Sequence, residues 1–292
     1  MTTPDGALRE VRVTKAVGDI DCEGDDRPTE NGFVKILNCH VTKGVYAERL
    51  VRSWNDFDAA VENGSENRTP ERFEEEQKYL VVVLSDGGTD LEHFGVSSWE
   101  QAASILWQVV TSLATAEEQK QFEHRDLHWG NVLVRSTPHT AQDQHSIATL
   151  SQPSATGVEA IIIDFTLSRI NVGPKQNVYE QLSDEQLFGG TGDMQFDVYR
   201  QMRDATQSDW EGFYPITNAL WLRYLVDKLL HAKGLKEPVV SGRRKAHAAE
   251  SFAYNSLRDA QQQLASVKPD DCGCTSAKEL LHWAVSRNSS SK

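Results

Sequence analysis

The sequence predicts an α+β fold, with strands concentrated before residue 86 and helices after it. Tyr79–Leu84 is a continuous apolar run rich in valine, which is typical of a strand. A long helix is predicted downstream, because Ser97 precedes Glu100 by three residues and apolar residues then recur at helical spacing up to Ala116. Further helices are expected over residues 210–232, 246–267 and 275–287.

Composition excludes several classes of protein. The 292 residues are enough for one large or two small domains, and 39% hydrophobic with 25% charged residues is typical of a globular chain. No apolar run approaches 18 residues, and the N-terminus lacks a hydrophobic signal core, so we expect no membrane span. The four cysteines favour reduced thiols in an intracellular protein. A net charge of −13 argues against direct nucleic-acid binding and is compatible with a basic peptide substrate.

The most informative stretch is Glu123–Val134, with the sequence EHRDLHWGNVLV. Asp126 and Asn131 have the spacing of the H-R-D-x-x-x-x-N catalytic loop of protein kinases. In that chemistry the aspartate accepts the proton of the substrate hydroxyl, and the asparagine holds a magnesium ion bound to the nucleotide phosphates. We therefore interpret Asp126 as the catalytic base and Asn131 as a metal ligand.

A second motif follows a short β-branched strand, Ile161–Ile163. Asp164-Phe165-Thr166 comes directly after it and matches the metal-binding D-F-G motif of kinases, with threonine in place of glycine. Both motifs occur in the expected order, each beside an apolar strand. Together they predict a site for ATP and Mg²⁺, with Asn131 and Asp164 as the metal ligands.

The residues of these motifs resemble those of the haspin family of protein kinases. The resemblance rests on Arg125–Asn131 (RDLHWGN), Asp164–Arg169 (DFTLSR), Gly192–Arg200 (GDMQFDVYR) and Trp221–Leu225 (WLRYL), and it is dispersed over residues 8–290. It implies a protein-kinase-like two-lobe fold, with a truncated β-rich N-lobe over residues 1–86 and a mainly helical C-lobe over residues 87–292. It also implies phosphorylation of a threonine in a basic histone tail, and therefore a nuclear, chromatin-associated protein.

The resemblance also implies roles for individual residues. Glu10 occupies the place of the glutamate that pairs with the strand-three lysine in active kinases. The hinge that binds adenine is expected at Leu84, Ser85, Asp86 and Gly87, where the pair Gly87-Gly88 permits close approach of a ligand to the backbone. Asp90 is expected to bind ribose.

Substrate binding is expected at Glu92, His128 and Asp193. His128 stands where most kinases have a lysine near the transferred phosphate, and it can donate a hydrogen bond without a permanent charge. Thr191 stands where the family often has a second aspartate. Asp197 resembles the aspartate that anchors the catalytic-loop backbone, so we expect it to be buried and bonded to the turn at His124-Arg125.

Two other segments are expected to be polar and largely unstructured. Residues 55–78 are predicted to form a solvated loop. Residues 135–158 are predicted to be a polar insertion between two strands, of a kind that haspin-like kinases also carry.

The first residues raise a question about activity. Only nine residues precede Glu10, and they contain neither a lysine nor a G-x-G-x-x-G loop; Lys35 lies after Glu10 and is interpreted as a strand-surface residue. The sequence thus resembles a kinase domain without its phosphate-covering loop and strand-three lysine. Because one such electrostatic group is worth about 10²–10³ in rate, we expect slow transfer, and we expect poor solubility.

Two alternatives remain. Small-molecule phosphotransferases of the aminoglycoside or choline kinase type also carry Asp-Leu-His-x-Gly-Asn followed by a strand with an aspartate; Arg125 and the segment 190–225 argue against this class. The missing lysine and glycine loop favour a pseudokinase that binds nucleotide without transferring phosphate.

Overall fold

A computed structural model describes residues 3–21, 31–61, 64–65, 67–140, 146–238, 245–265 and 273–289. The helices are α1 (Pro4–Gly18), α2 (Glu48–Ala60), α3 (Trp99–Lys120), α4 (Ile147–Leu150), α5 (Pro153–Thr156), α6 (Glu185–Gly189), α7 (Met194–Thr206), α8 (Ile216–His231), α9 (Lys245–Leu264) and α10 (Ala277–Ser289). The strands are β1 (Ile36–Lys43), β2 (Lys78–Leu84), β3 (Thr89–Asp90), β4 (Val132–Ser136), β5 (Val158–Ile162), β6 (Ile170–Asn171) and β7 (Asn177–Val178). The predicted α+β class is confirmed.

The chain divides into two compact units. One contains residues 1–35 and 86–292, and the other contains residues 36–85. The helix α1 therefore belongs to the same unit as the long C-terminal segment. The division into lobes at residues 1–86 and 87–292 stays a prediction.

The unit of residues 36–85 is built on an antiparallel pair, β1 and β2, with a bulge between Ile36 and Asn38. The strand predicted from Tyr79–Leu84 is thus confirmed. The solvated loop predicted over residues 55–78 is wrong in part, because α2 continues to Ala60 and a 3₁₀ turn covers Pro70–Arg72. The polar residues at 55–60 lie on an amphipathic surface helix, which single-sequence composition does not distinguish from a loop.

The centre of the larger unit is α3, which is buried over most of its length. Its N-cap is Ser98, whose hydroxyl accepts from the Gln101 backbone N–H at 3.1 Å, and the Gln101 side chain accepts from the Ser97 backbone N–H at 3.0 Å. The N-cap is therefore Ser98, one residue later than the predicted Ser97, and Gln101 rather than Glu100 reaches back, to the N–H of the residue before the cap. The helices predicted over 246–267 and 275–287 correspond to α9 and α10, whereas α8 begins six residues after the predicted start at 210.

A three-stranded sheet of order β3-β4-β5 carries the two predicted motifs. β4 and β5 are antiparallel, and Val132 pairs with Ile162, so the residues just before β4 and just after β5 come together. Phe33 extends the sheet by a parallel bridge to Ile162. The side chain of Asn31 donates to the carbonyls of Val17 and Ile20 at the end of α1, which ties that helix to the same sheet.

The insertion between β4 and β5 is more ordered than predicted. It contains α4 and α5, and Ile147 and Leu150 are buried in the hydrophobic core of the larger unit. Residues 141–145, including His145, lie outside the described part. Within the described residues, Cys39 and Cys274 are free thiols, and no helix is long and apolar enough to cross a membrane.

Candidate active site

The backbone of the candidate catalytic loop is held by a buried ion pair between Glu123 and Arg125. Both side chains are fully buried, and the guanidinium donates to both Glu123 carboxylate oxygens at 3.1 and 3.2 Å. Arg125 also donates to the Trp210 carbonyl at 2.8 Å, while Glu123 accepts from the Tyr214 backbone N–H and the Thr217 hydroxyl, each at 2.8 Å. Because every charge is paired and hydrogen-bonded, the pair fixes the start of the loop rather than acting on a substrate.

Asn218 of α8 also holds the backbone of the loop. Its side-chain oxygen accepts from the His124 backbone N–H at 3.0 Å, and its amide donates to the Phe122 carbonyl at 2.9 Å. The sequence assigned this role to Asp197, and that prediction is wrong. The Asp197 side chain is 58% exposed and pairs with Arg200 on its own helix, so the first turn of α7 turns this carboxylate toward solvent.

His124 is locked as a neutral ring. Its Nε2 lies 3.0 Å from the Ile163 carbonyl, and its Nδ1 accepts from the Asp126 backbone N–H at 3.3 Å. Burial lowers the pKa of His124 to about 4. The proton therefore resides on Nε2, and the ring connects the two motifs by bonding one of its nitrogens to each.

Asp126 has the environment of a general base. Tyr199 donates a very short hydrogen bond to its Oδ1. Burial raises the pKa of Asp126 to about 7, against the lowering effect of the Tyr199 hydrogen bond, and the neighbouring Asp164 carboxylate adds to the increase. A carboxylate with a pKa near the working pH is well suited to take a proton in the transition state.

Asn131 and Asp164 lie at the same end of the β4–β5 pair, just before β4 and just after β5, and each supplies a side-chain oxygen atom. The amide nitrogen of Asn131 donates to the Asp126 carbonyl at 2.8 Å, which leaves its side-chain oxygen as the remaining ligand atom. Asp164 is exposed and in the left-handed region at φ 62°, and its Oδ1 accepts from the Thr166 backbone N–H at 3.1 Å. A carboxylate and an amide oxygen are the ligands that Mg²⁺ prefers.

The electrostatics also fit a divalent cation. The Asp164 carboxylate contributes to the raised pKa of both Asp126 and Glu10, although burial is the larger cause in each case. The Asp164 carboxylate therefore repels both Asp126 and Glu10, and a cation bound at Asp164 would relieve the repulsion. The residues present therefore fit a metal at Asn131 and Asp164.

The remaining residues of the Asp164-Phe165-Thr166 motif link the site to α1. Phe165 is buried against the rings of Phe33, Phe122 and His124, with centroid distances of 5.6–6.1 Å. The Thr166 side chain hydrogen-bonds Glu10, which lowers the pKa of Glu10 against the effect of burial. The structure thus places Glu10 beside the metal-binding motif, as the predicted register requires, and its catalytic role stays a prediction.

His128 lies among the predicted substrate residues. Its Nδ1 accepts from the Gly130 backbone N–H at 3.1 Å and caps the 3₁₀ turn Trp129–Asn131. Burial lowers the pKa of His128, while the carboxylates of Asp164, Glu92 and Asp193 act in the opposite direction. His128 is therefore a neutral ring with Nε2–H available as a donor, surrounded by acidic groups.

Asp193 is occupied by contacts within the chain. Its Oδ1 accepts from the Gln195 backbone N–H at 2.9 Å as the N-cap of α7, and its Oδ2 accepts from Lys228 at 2.6 Å. The Lys228 ammonium lies over the rings of Trp129 and Tyr224, with centroid distances of 4.7 and 5.2 Å. A basic substrate group would share Asp193 with Lys228, and the substrate role of Asp193 stays a prediction.

The predicted hinge spans the boundary of the two units, which falls between Ser85 and Asp86. In the larger unit, a Cβ on Gly87 would lie 2.6 Å from Leu133 Cδ1, and a Cβ on Gly88 would lie 2.4 Å from the Val134 carbonyl oxygen. Both glycines are therefore required by packing against β4. The interpretation that the pair serves ligand approach is not needed to explain them.

Leu84 is the last residue of β2 and is 43% exposed. The predicted ribose ligand Asp90 is held by His93, which donates from its backbone at 3.0 Å and lies 2.7 Å away through Nδ1. Burial alone would raise the pKa of Asp90, but these contacts with His93 lower it below its ordinary value. Asp90 is thus an ionised acceptor close to Glu92. The binding roles of Leu84–Gly87 and Asp90 stay predictions.

Sequence reasoning missed Tyr199 and Asn218. Tyr199 lies within a quoted motif, but only its helical position brings its hydroxyl to Asp126. Asn218 carried a signal, because a polar side chain in the first turn of a largely apolar helix must find partners when it is buried.

Comparison with known proteins identifies the family of the chain. The haspin-like kinase domain family matches residues 6–281. The chain is 32% identical over 283 residues to serine/threonine-protein kinase haspin homolog hrk1 of Schizosaccharomyces pombe, covering 87% of this chain and 56% of that protein. It is 40% identical over 272 residues to the haspin homolog of Arabidopsis thaliana, covering 90% and 42%, and 37% identical over 233 residues to haspin of Bos taurus, covering 78% and 29%.

The chain thus spans between about a third and about half of the length of these three relatives. The match nevertheless extends through nearly all of this chain and includes both motifs that form the site. The chain therefore belongs to the haspin-like kinase domain family, and the predicted kinase-like fold class is confirmed.

Proposed function

We propose that this protein is a serine/threonine protein kinase that uses ATP and Mg²⁺. The observation that carries the proposal is the grouping of Asp126, Asn131 and Asp164, in which a carboxylate with a pKa near 7 lies beside two oxygen ligands from adjacent strands. Named relatives are serine/threonine-protein kinases, which supports the same reaction class.

The roles of the residues follow from their contacts. Tyr199 holds Oδ1 of Asp126, so Oδ2 is the oxygen that takes the proton from the substrate hydroxyl. The hydroxyl oxygen forms a bond to the terminal phosphorus of ATP, the bond from that phosphorus to the bridging oxygen breaks, and ADP leaves. Asn131 and Asp164 would hold Mg²⁺, which would neutralise charge on the phosphates. The Nε2–H of His128 donates a hydrogen bond toward the transferred phosphoryl group without adding a fixed charge. The backbone of Leu84–Gly87 binds adenine, and Asp90 accepts from the ribose hydroxyls.

The proposed substrate is a threonine in a basic histone tail, which places the protein on chromosomes in the nucleus. The acidic character of the site supports a basic peptide, since Glu92 and Asp193 both act on His128 and the chain carries a net charge of −13. The histone and the nuclear location come from the family resemblance.

A transfer assay tests the proposal. The 292-residue chain is incubated with γ-labelled ATP and Mg²⁺, and three acceptors are compared: a histone-tail peptide containing threonine, an aminoglycoside and choline. We expect label on the peptide threonine alone, and we expect Asp126→Asn to lose it while remaining folded. Label on the small molecules would assign the chain to the phosphotransferase class, and thermal stabilisation by Mg-ATP without transfer would indicate a pseudokinase.

A further inference from the structure

A chain of buried hydrogen bonds leads away from the catalytic loop to the C-terminal helix. Asn218 is fully buried and uses both ends of its amide: the oxygen accepts from the His124 N–H, and the nitrogen donates to the Phe122 carbonyl and, at 3.0 Å, to Oε1 of Glu117. This side chain therefore grips the loop on both sides of residue 123 and is itself fixed by a carboxylate from α3.

Glu117 connects Asn218 to α10. It is 5% exposed, and its Oε1 accepts from the Ala277 backbone N–H at 3.0 Å while its Oε2 accepts from the Lys278 backbone N–H at 2.9 Å. These are the first N–H groups of α10, which have no partners inside the helix and which favour a negative charge. One carboxylate thus caps α10 and holds Asn218.

The contacts continue into the site. His124, held by Asn218, bonds through its ring to the Asp126 N–H and to the Ile163 carbonyl, directly before Asp164. We propose that Glu117 and Asn218 are positioning residues through which the first turn of α10 fixes the catalytic loop. The C-terminal helix is then part of what sets the geometry of the site.

The hydrogen bond between Asn218 and Glu117 also explains why the residue at position 218 carries an amide. The position must present an acceptor to the His124 N–H and a donor to both Glu117 and the Phe122 carbonyl. An asparagine does both, whereas a carboxylate there would face a second buried carboxylate and a carbonyl oxygen. Burial already raises the pKa of Glu117 to about 7, against the lowering effect of its hydrogen bonds with Asn218, Lys278 and Ala277, so a second carboxylate beside it would be unfavourable.

The inference rests on the proposed kinase activity, but its main test does not require activity. Hydrogen–deuterium exchange is measured on the loop peptide Phe122–Leu127 in the full chain. Glu117→Met removes all three acceptor bonds, and we expect exchange of this peptide to accelerate about tenfold or more. Glu117→Gln keeps one oxygen for both Asn218 and Ala277, so we expect a change of less than about threefold.

Glu118 is a matched control. It is the next residue on α3 and also contacts α10, through the Lys278 ammonium at 2.8 Å, but its side chain is 63% exposed. Glu118→Gln should leave loop exchange unchanged. Equal acceleration in the Glu118 and Glu117→Met variants, or no acceleration in Glu117→Met, would overturn the proposal.

A second variant covers the case in which Glu117→Met does not fold. Asn218→Asp keeps the acceptor for His124 and replaces the donor that faces Glu117. We expect about tenfold faster loop exchange, and partial recovery when Glu117→Gln is added, because the glutamine amide can donate to the new carboxylate while the Phe122 carbonyl still lacks its donor. Failure of the double variant to recover, with the single variant accelerated, would show that the Glu117 contact is not the connection.

Activity supplies the last readout. In the variants with faster loop exchange we expect kcat to fall about tenfold with the KM for ATP within about twofold, because misplaced catalytic groups cost turnover rather than nucleotide binding. A fall in ATP affinity with kcat preserved would refute a positioning role. If the wild-type chain transfers no phosphate, the proposed function fails, while the exchange data still decide this inference.

Discussion

Replacing Arg125 by methionine should destabilise the protein strongly although Arg125 contacts no substrate. The change removes the guanidinium and leaves Glu123 fully buried without its cation. Removing one partner of a buried ion pair typically costs about 3–5 kcal/mol. The Trp210 and Gly212 carbonyls also lose their donor, at 2.8 and 3.4 Å in the wild type.

Two features of the structure narrow the expected loss of unfolding free energy. Glu123 keeps two good donors, the Tyr214 N–H and the Thr217 hydroxyl, each at 2.8 Å. Methionine fills much of the volume of the arginine stem, so little cavity is left. We therefore expect the lower end, about 3 kcal/mol of unfolding free energy.

The assay is equilibrium unfolding in urea followed by tryptophan fluorescence, because the Arg125 guanidinium lies 5.4 Å from the centroid of the Trp210 ring. Arg287→Met is the control: Arg287 pairs with Asp259 at 3.2 Å, but its side chain is 59% exposed, so we expect a loss below about 1 kcal/mol. Adding Glu123→Gln to Arg125→Met should recover part of the loss, since the buried charge is gone. A loss below about 1 kcal/mol for Arg125→Met would show that the pair does not hold the loop.

Three further predictions follow from the site. Asp164→Asn should abolish Mg²⁺-dependent ATP binding in calorimetry with little change in the unfolding midpoint, because asparagine tolerates the left-handed backbone at φ 62°; unchanged Mg²⁺-dependent affinity would remove Asp164 from the metal site. Tyr199→Phe removes a hydrogen bond that lowers the pKa of Asp126, so the acid limb of the kcat/KM profile should move up by about one pH unit, and an unmoved limb would contradict this contact. Burial holds the pKa of Glu117 at about 7 in the folded protein, above its ordinary 4.5, so the stability linked to its proton is fully present below pH 4.5 and lost as pH rises through 7. Between pH 4 and 8, wild type should therefore lose up to about 3 kcal/mol of unfolding free energy relative to Glu117→Gln, and a difference that does not vary with pH would refute this assignment.

The sequence by itself predicts the residues of the candidate active site. Asp126, Asn131 and Asp164 were identified because their residue types and spacing are dictated by the reaction, and the strands beside them have the apolar runs of buried β structure. The helices α3, α9 and α10 followed in the same way from a period of about 3.6 residues, which depends on the residues of each segment alone.

Only the tertiary structure decided which polar residues support the site. Asp197 lies on α7 and Asn218 on α8, and both are polar residues near the start of their helix. The Asp197 carboxylate faces solvent, whereas the Asn218 amide faces the core and holds His124. The same holds for Glu117, whose partners in α8 and α10 lie at least 100 residues away in the sequence. Local patterns specify which face of a helix is apolar, but the partner of a buried polar group depends on how distant elements pack, and that information is spread over the whole chain.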